Sequence, residues 1–514
     1  MHYRGHGSQV MDNLLYSVEK IRMVERSAAM VLGDDVLMRR AGAAATRFAL
    51  ALLGDHRKLP VLLVAGPGNN GGDALETAAG LREAGVETLV LHLPGSGAAS
   101  LETTQALQRA QASGAQFIDA LPEHLQLGLV VDGMFGIGLA RPLQGRHAEI
   151  ARLLHDYGCP VLALDVPSGL DADTGTVIGS GPDRVAVTAT HTITFIGNKP
   201  GLHTCDGRDH AGCVRVDDLG IASHEFPAPS ACLNGPALFG AELKAARRPQ
   251  NSHKGSFGDI AILGGAQGMA GAPVLAARAA LLSGAGRVFV AALDPALCHD
   301  SMHPELMFRV AGSFDFSGRT VVAGPGMGEA PTAARLLAKL IGSDSPLVID
   351  ADALNRVSGD TALQAQLAQR KAPAILTPHP LEAARLLGVT AAVVQADRIE
   401  AAREISGRFN ATVVLKGSGT IIAENKSHTM VINPTGNPGL ATGGTGDVLS
   451  GVCGALLAQG WGPLGAALGA VWMHGTAADE LVDSGVGPIG MAAGELAPAI
   501  RSILNRLVRQ AAGN

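Results

Sequence analysis

The stretch from Asn433 to Gly451 carries the densest chemistry in this chain. Gly436, Gly439, Gly443, Gly444 and Gly446, interleaved with Thr435, Thr442 and Thr445, lead up to Asp447. An apolar run containing Val448, Leu449, Leu456 and Leu457 follows. Glycines let the backbone turn tightly and aim several N–H groups at one point, and a helix that starts there adds its positive end, so the segment reads as an anion site. A carboxylate at the mouth of such a site is well placed to take a proton from a hydroxyl that attacks phosphorus. A turn that merely caps a buried helix is the plainer alternative; the density of glycine and threonine and the acid at the helix start weigh against it.

Similar turns punctuate the rest of the chain. Gly66-Pro67-Gly68-Asn69-Asn70-Gly71-Gly72-Asp73 follows the apolar run Val61–Ala65. It is not the dinucleotide fingerprint of spaced glycines, because two asparagines and an aspartate interrupt it; those side chains could offer oxygens to a cation or a sugar. Asp132 and Asp165 each end an apolar run and stand before glycine turns, with Ser168 three residues beyond Asp165. In the second half, turns at 264–273, 324–328, 350–354, 377–382 and 416–420 recur after short apolar runs. Lys416 lacks the preceding glycine of a P-loop, so that class of ATPase is not expected.

These turns need strands and helices to hold them. Apolar positions at helical spacing predict a helix over 14–29. Strands are expected at 61–65, 88–93, 129–132, 161–165 and 191–196, the last closing this half, with helices over 73–84 and 101–113. The proline-bearing stretch 220–240 reads as a boundary. Beyond it come strands at 259–263, 288–291, 320–323, 347–350, 374–376 and 412–415, a hairpin of 420–423 with 429–432, and helices starting near Gly444, Leu464 and Met491. Alternation of this kind predicts parallel sheets, whose strand ends gather Asn70, Asp132, Asp165 and Ser168 at one edge. Residues 1 to about 13 read as a polar tail.

The motifs GPGNNGGD (66–73), VVDGMFGIGLARPL (130–143) and LALDVPSGLDADTG (162–175) resemble the epimerase domain of the NAD(P)H-hydrate repair family over about residues 14–217. The second half resembles the family's ribokinase-like, ADP- or ATP-dependent dehydratase from about Leu243 onward, with GNPGLATGGTGDVLSG (436–451) as its most specific string. The resemblance implies an α/β chain of two domains: a Rossmann-like three-layer domain over 14–225 and a ribokinase-like domain over 240–514. For the first domain it implies that hydrated NADH or NADPH is held by Asn69, Asn70, Gly71, Gly72 and Asp73 and by Gly136, Ile137, Gly138, Leu139, Ala140, Arg141 and Pro142. Asp165 becomes a substrate-binding acid/base, and K⁺ is held by Asn70, Asp132 and Ser168. For the second it implies substrate contacts from Ala272, Gly326, His379 and Asp447. The adenine nucleotide is held by Lys416, Gly417, Ser418, Gly419 and Thr420 and by Asn437, Gly443, Gly444, Thr445 and Gly446, with Mg²⁺ and with ADP as phosphoryl donor. Ala74 stands where the family usually has another glycine, His147 where some members have tyrosine, and Leu381 where a glycine is common. The alternative is a small-molecule kinase whose N-terminal half is a non-catalytic nucleotide-binding module.

Composition bounds this reading. Apolar residues make up 47% and charged residues 17%, enough for two buried cores. A net charge of −6 without long basic runs argues against nucleic-acid or anionic-membrane partners. The six cysteines form no CxxC pair, and His203, Cys205, His210 and Cys213 match no common zinc spacing. No secretory signal or membrane-spanning run is apparent, so a cytoplasmic protein is expected, with a homo-oligomer as its expected assembly.

Overall fold

The computed structural model describes residues 13–33, 35–95, 97–426 and 428–513; the polar stretch at the N-terminus lies almost wholly outside them. The chain divides into two compact units, Met1–Cys232 and Leu233–Asn514. Both are α/β.

The first unit is built on a seven-stranded parallel sheet. Its order is Gln116–Ile118, Thr88–His92, Val61–Ala65, Leu129–Gly133, Val161–Leu164, His191–Phe195 and Cys213–Asp217. Central strands are buried on both faces and therefore read as continuous apolar runs. Val61, Leu63 and Ala65 join a core with Ala41, Ala45, Leu75 and Ala78 from the helices Val36–Leu53 and Asn69–Glu83. Leu62 and Val64 face the opposite core with Ala148 and Ala151 from Gly145–Leu153. These are the three expected layers.

Three expectations need correction. The first helix spans Val18–Leu32, while Leu14 and Leu15 pair antiparallel with Cys232 and Ala231; Ser17, extended, separates the two conformations. The helix after the first glycine turn begins at Asn69 rather than Asp73. Its glycines allow close packing: a Cβ on Gly71 would fall 1.9 Å from the Gly66 carbonyl oxygen. Finally, His191–Phe195 does not end the sheet, because Cys213–Asp217 adds a more exposed edge strand beyond it.

In the second unit the strands run in the order Thr429–Ile432, Ile421–Glu424, Thr412–Leu415, Ala374–Leu376, Leu347–Ile349, Thr320–Ala323, Asp259–Gly264, Arg287–Ala292 and Met307–Val310. From Thr412–Leu415 to Met307–Val310 the pairing is parallel, and the hairpin Ile421–Glu424 with Thr429–Ile432 adds antiparallel strands. The closing helices are Thr445–Ala458, Pro463–Asp483 and Ala493–Gly513. Among the described residues no helix is long and apolar enough to cross a membrane.

Helix Thr445–Ala458 is locked down by its own glycines. A Cβ on Gly451 would sit 2.2 Å from the Ala276 carbonyl oxygen on helix Gly271–Leu282, and one on Gly454 would meet Val322 at 2.5 Å and Ile260 at 2.6 Å. Glycine inside a helix costs roughly 0.5–1 kcal/mol relative to alanine; these close approaches are what it permits. Gly451→Val is expected to force the helices apart and to destabilise this unit by roughly 1–3 kcal/mol, measured as a lower urea midpoint. An unchanged midpoint would show that the helices separate freely.

Candidate functional site

In the first unit a cavity of about 630 Å³ opens at the carboxyl ends of the central strands, lined among others by Asn69, Asn70, Asp73, Gly136 and Asp165. Helix Val18–Leu32 forms part of its wall through Ile21, Arg22, Glu25 and Arg26. Asp165 follows the strand Val161–Leu164 and adopts a left-handed backbone, φ +65°, which a non-glycine residue seldom does without a reason. Several bonds hold it there. Its N–H donates to the Ile193 carbonyl at 2.8 Å, Oδ2 accepts from the Ile137 N–H at 3.2 Å, and Oδ1 lies 2.5 Å from Lys199 Nζ. The Lys199 ammonium is wholly buried and also donates to Thr194 Oγ1 at 2.7 Å and the Phe195 carbonyl at 2.8 Å.

Two more carboxyls line the same cavity. Burial, then Asp165, Glu25 and Glu76, push Asp73 well above the usual range, with Lys199 opposing. Burial and Asp165 also raise Glu25, against Lys199, Arg22 and Arg26. The cavity thus places a carboxylate bonded to an ammonium beside two acids whose hold on a proton is strengthened, and groups of unequal proton affinity in one place suit proton exchange.

Beneath the cavity floor, Asp132 is fully buried. Its Oδ1 accepts from Ser168 Oγ at 2.7 Å and the Met134 N–H at 3.1 Å, and its Oδ2 accepts from the Ser168 N–H at 2.8 Å. Burial raises its pKa to about 6 against those bonds. Both amide atoms of Asn70 are buried without a hydrogen-bond partner among the described residues. A Cβ built on Gly136 would lie 2.8 Å from Asp165 Oδ2 and 3.4 Å from Asn70 Cγ, so the turn at Gly136 passes between the two side chains. The orphaned Asn70 amide thus lies across Gly136 from Asp165, while Asp132 and Ser168 are bonded to each other.

Not every expected contact faces this cavity. Gly71 and Gly72 pack inward, a Cβ on Gly72 reaching Met38 at 2.5 Å. Gly138 and Leu139 lie on the wall shared with a second cavity of about 390 Å³, while Ala140, Arg141 and Pro142 line the second alone, with His147. His147 packs against Phe135, with ring centroids 5.1 Å apart and planes tilted by 54°. Ala74 is fully buried, its methyl turned to Gly133 and away from the cavity. Reading the sequence missed Lys199. A lysine in a Gly-Asn-Lys-Pro-Gly turn looks solvated; the available signal was its place just after a strand on the same sheet edge as Asp132 and Asp165.

In the second unit the turns also gather at the ends of parallel strands. Gly326, φ +56°, lies beside Ala272, whose methyl is 3.4 Å from a Cβ built there. His379 caps the helix Pro380–Leu387: Nδ1 accepts from the Leu381 N–H at 3.1 Å, and Nε2 lies 3.3 Å from Glu382 Oε1. Burial, then Lys416, lowers its pKa, and because Nδ1 accepts backbone N–H groups the ring presents its N–H at Nε2. The Lys416 ammonium lies 2.8 Å from Asp350 Oδ1 and 4.0 Å from Glu382 Oε2. Burial alone would lower Lys416, but those two carboxylates outweigh it and hold it above its ordinary value.

The turn 416–420 is braced by the buried guanidinium of Arg398, which donates to the carbonyls of Ser418 and, at 3.3 Å, Leu415. Thr420 Oγ1 donates to the Gly417 carbonyl at 3.0 Å. Asn437 is occupied within the protein: Nδ2 donates to Asp479 Oδ1 at 2.9 Å, and Oδ1 accepts from the Gly439 N–H at 3.0 Å. The Thr445 hydroxyl donates to the Leu440 carbonyl at 2.8 Å. Gly443 is exposed, and Gly444, φ +93°, is the N-cap of the helix carrying Asp447. A Cβ on Gly446 would stand 3.3 Å from Lys416 Nζ, so the helix start lies over the ammonium. Burial, then Asp350, raises Asp447 to about 6, with Lys416 opposing. A base poised there, beside a cation and at the positive end of a helix, can deprotonate a hydroxyl attacking phosphorus.

A family model described as NAD(P)H-hydrate dehydratase matches residues 260–501, and one described as YjeF-related protein N-terminus matches residues 34–201. The chain is 37% identical to the bifunctional NAD(P)H-hydrate repair enzyme Nnr of Coxiella burnetii, over 96% of this chain and 99% of that one. It is 35% identical to the enzyme of the same name from Escherichia coli strain K12, over 96% of this chain and 94% of that one. A solved ADP/ATP-dependent NAD(P)H-hydrate dehydratase from Bacillus subtilis, co-crystallized with ATP/Mg²⁺, covers 52% of this chain and 97% of its own at 29% identity, with a TM-score of 0.46. On near full-length similarity in both halves, the chain belongs to the bifunctional NAD(P)H-hydrate repair enzyme family.

Proposed function

We propose that this chain restores hydrated NAD(P)H, interconverting the R and S epimers in residues 14–225 and dehydrating the S epimer at the cost of an adenine nucleotide in residues 240–514. The observation that carries the reading is Asp447: a half-buried base at a glycine-rich helix start, above the Lys416 ammonium.

In the dehydratase step, Asp447 takes the proton of the C6 hydroxyl and the oxygen attacks the terminal phosphoryl of ADP, releasing AMP. The N–H groups of Gly443 to Gly446 and Lys416 face the charge that develops. The ring nitrogen then expels phosphate, C5 loses its proton, and the dihydronicotinamide is restored. Ala272, Gly326 and His379 would hold the substrate; Gly417, Ser418, Gly419, Thr420 and Asn437 would shape the nucleotide pocket. Among the described residues no group of three or more His, Cys, Asp or Glu side chains is arranged to hold a metal. Mg²⁺ would offset the charge of the nucleotide's phosphates.

In the epimerase step C6 inverts, by reversible loss of its hydroxyl or by opening of the ring. Asp165 would serve as acid/base, aimed by Lys199 and the Ile137 N–H, with Asn69 to Asp73 and Gly136 to Pro142 around the substrate. Asn70, Asp132 and Ser168 would hold K⁺, which would answer the unpartnered Asn70 amide and balance the buried Asp132 charge. All six cysteines are free, which suits the cytoplasm, the location we propose together with an assembly of several copies.

Recovery of near-ultraviolet nicotinamide absorbance from mixed NADHX epimers, with ADP and ATP in parallel, tests the reading. Nucleotide-dependent recovery is expected, and is expected to vanish in Asp447→Ala; a stable phosphate ester in place of NADH would identify an ordinary kinase. Because Asp447 must be ionised to act, kcat/KM for the S epimer is expected to fall as pH drops through about 6 and to be flat above it. A flat profile down to pH 5 would remove Asp447 as the base.

Asp165→Asn is expected to slow R-to-S interconversion by roughly 10²–10⁴-fold, followed by chromatographic separation of the epimers, with dehydration of pure S substrate unchanged. Lys199→Met leaves a buried carboxylate without its ammonium and is expected to cost roughly 3–5 kcal/mol of stability. A parental unfolding midpoint would contradict the buried pair.

A further inference from the structure

Asp350 stands where an aspartate usually does something else. It follows the strand Leu347–Ile349 and is the N-cap of helix Ala351–Gly359, extended at φ −136° and ψ 165°. An aspartate at that position ordinarily accepts the first free N–H groups of its helix. Here the side chain makes no capping bond. Its Oδ1 instead holds Lys416 Nζ at 2.8 Å, across 66 residues of sequence. The next residue, Ala351, is in the left-handed region at φ +47° without being a glycine. Asp350 is almost wholly buried, and its carbonyl lies so near Gly324 that a Cβ there would come within 1.8 Å. The backbone is fixed on both sides, and the carboxylate is turned from its local helix to a distant ammonium.

That ammonium lies under the glycine turn of the dehydratase half, 3.3 Å from where a Cβ on Gly446 would be. A lysine side chain has several rotatable bonds, and without this anchor its charge would be shared between Glu382, 4.0 Å away, and Asp447, which also attracts it. We propose that Asp350 is a positioning residue for phosphoryl transfer: it pins Lys416 beneath the glycine turn, so that the ammonium meets the transferring group without forming an ion pair with Asp447. The inference rests on the dehydratase reading. The charged and titratable groups acting on Asp447 are Asp350, Asp352 and Lys416. His474, bonded to the Thr445 carbonyl and lowered to about 4 by burial, is neutral. Glu382 and His379 stand beyond Lys416.

The test uses the full chain, with ADP-dependent recovery of NADH from S-NADHX measured against pH for the parent, Asp350→Asn and Asp350→Glu. In Asp350→Asn one like charge near Asp447 is gone and Lys416 is free to approach it. The acid limb of kcat/KM is therefore expected to move below its parental position, a shift that a purely structural role would not produce. In Asp350→Glu the charge stays but is displaced by one carbon. The limb is expected to hold its position while the plateau rate falls on the order of 10–100-fold, the scale of an ångström of misplacement. The glutamate variant decides the matter even if the asparagine variant does not fold. A parental plateau rate in Asp350→Glu, or a folded Asp350→Asn with an unmoved limb, would overturn the proposal. A parent chain without nucleotide-dependent recovery would instead overturn the dehydratase reading beneath it.

Discussion

Each half of this chain sets a lysine ammonium against a buried aspartate at the end of a parallel strand, and the candidate site residues gather around that pair. Asp165 with Lys199 and Asp350 with Lys416 share one geometry: a short apolar strand, an acid where it ends, and a cation from a later turn on the same sheet edge. A buried ion pair contributes little net stability, because desolvation offsets most of the attraction. What it provides is direction. Once both charges are inside, neither can leave without stranding the other, so the side chains around them inherit a fixed reference. In each unit a left-handed, non-glycine residue stands at the acid or immediately after it, Asp165 itself and Ala351, which is where a scaffold stores strain when side-chain aim matters.

The parallel sheet makes such pairs possible. It brings distant turns to one edge without long-range side-chain contacts having to do so, and it leaves N–H groups of following helices unpaired there. Charge is then sorted by depth. Asp132 lies deepest in the first unit, bonded on both oxygens, whereas Asp73 and Glu25 line the cavity and are pushed toward their neutral forms by burial and by Asp165. In the second unit Asp350 and Glu382 occupy the interior with Lys416, and Asp447 is raised at the rim.

The parts of the fold legible in the sequence are those whose cause is local. Val61–Ala65, Thr320–Ala323, Ala374–Leu376 and Thr412–Leu415 emerge with their ends intact, because central parallel strands are short apolar runs bounded by turn residues. Edge strands such as Gln116–Ile118, Cys213–Asp217 and Met307–Val310 are partly exposed and carry no such run, so nothing marks them. The helix start at Asn69 was hidden by glycines that are helical only because neighbouring backbone needs the room. The site followed the same division. Asp165 and Asp447 were visible because glycine turns adjoin them. Lys199 was not, since its burial depends on a partner 34 residues away, and Asn437 gave no sign that Asp479 occupies its amide.

The glycines of helix Thr445–Ala458 bear on how the second half can move. With Gly451 against the Ala276 carbonyl and Gly454 against Ile260 and Val322, the helix has no slack in which to slide or roll. Asp447 is therefore an anvil and not a hammer. Whatever rearrangement accompanies turnover must be carried by the turns around it and by the ligands themselves, which have to arrive already oriented toward a carboxylate that stays where it is.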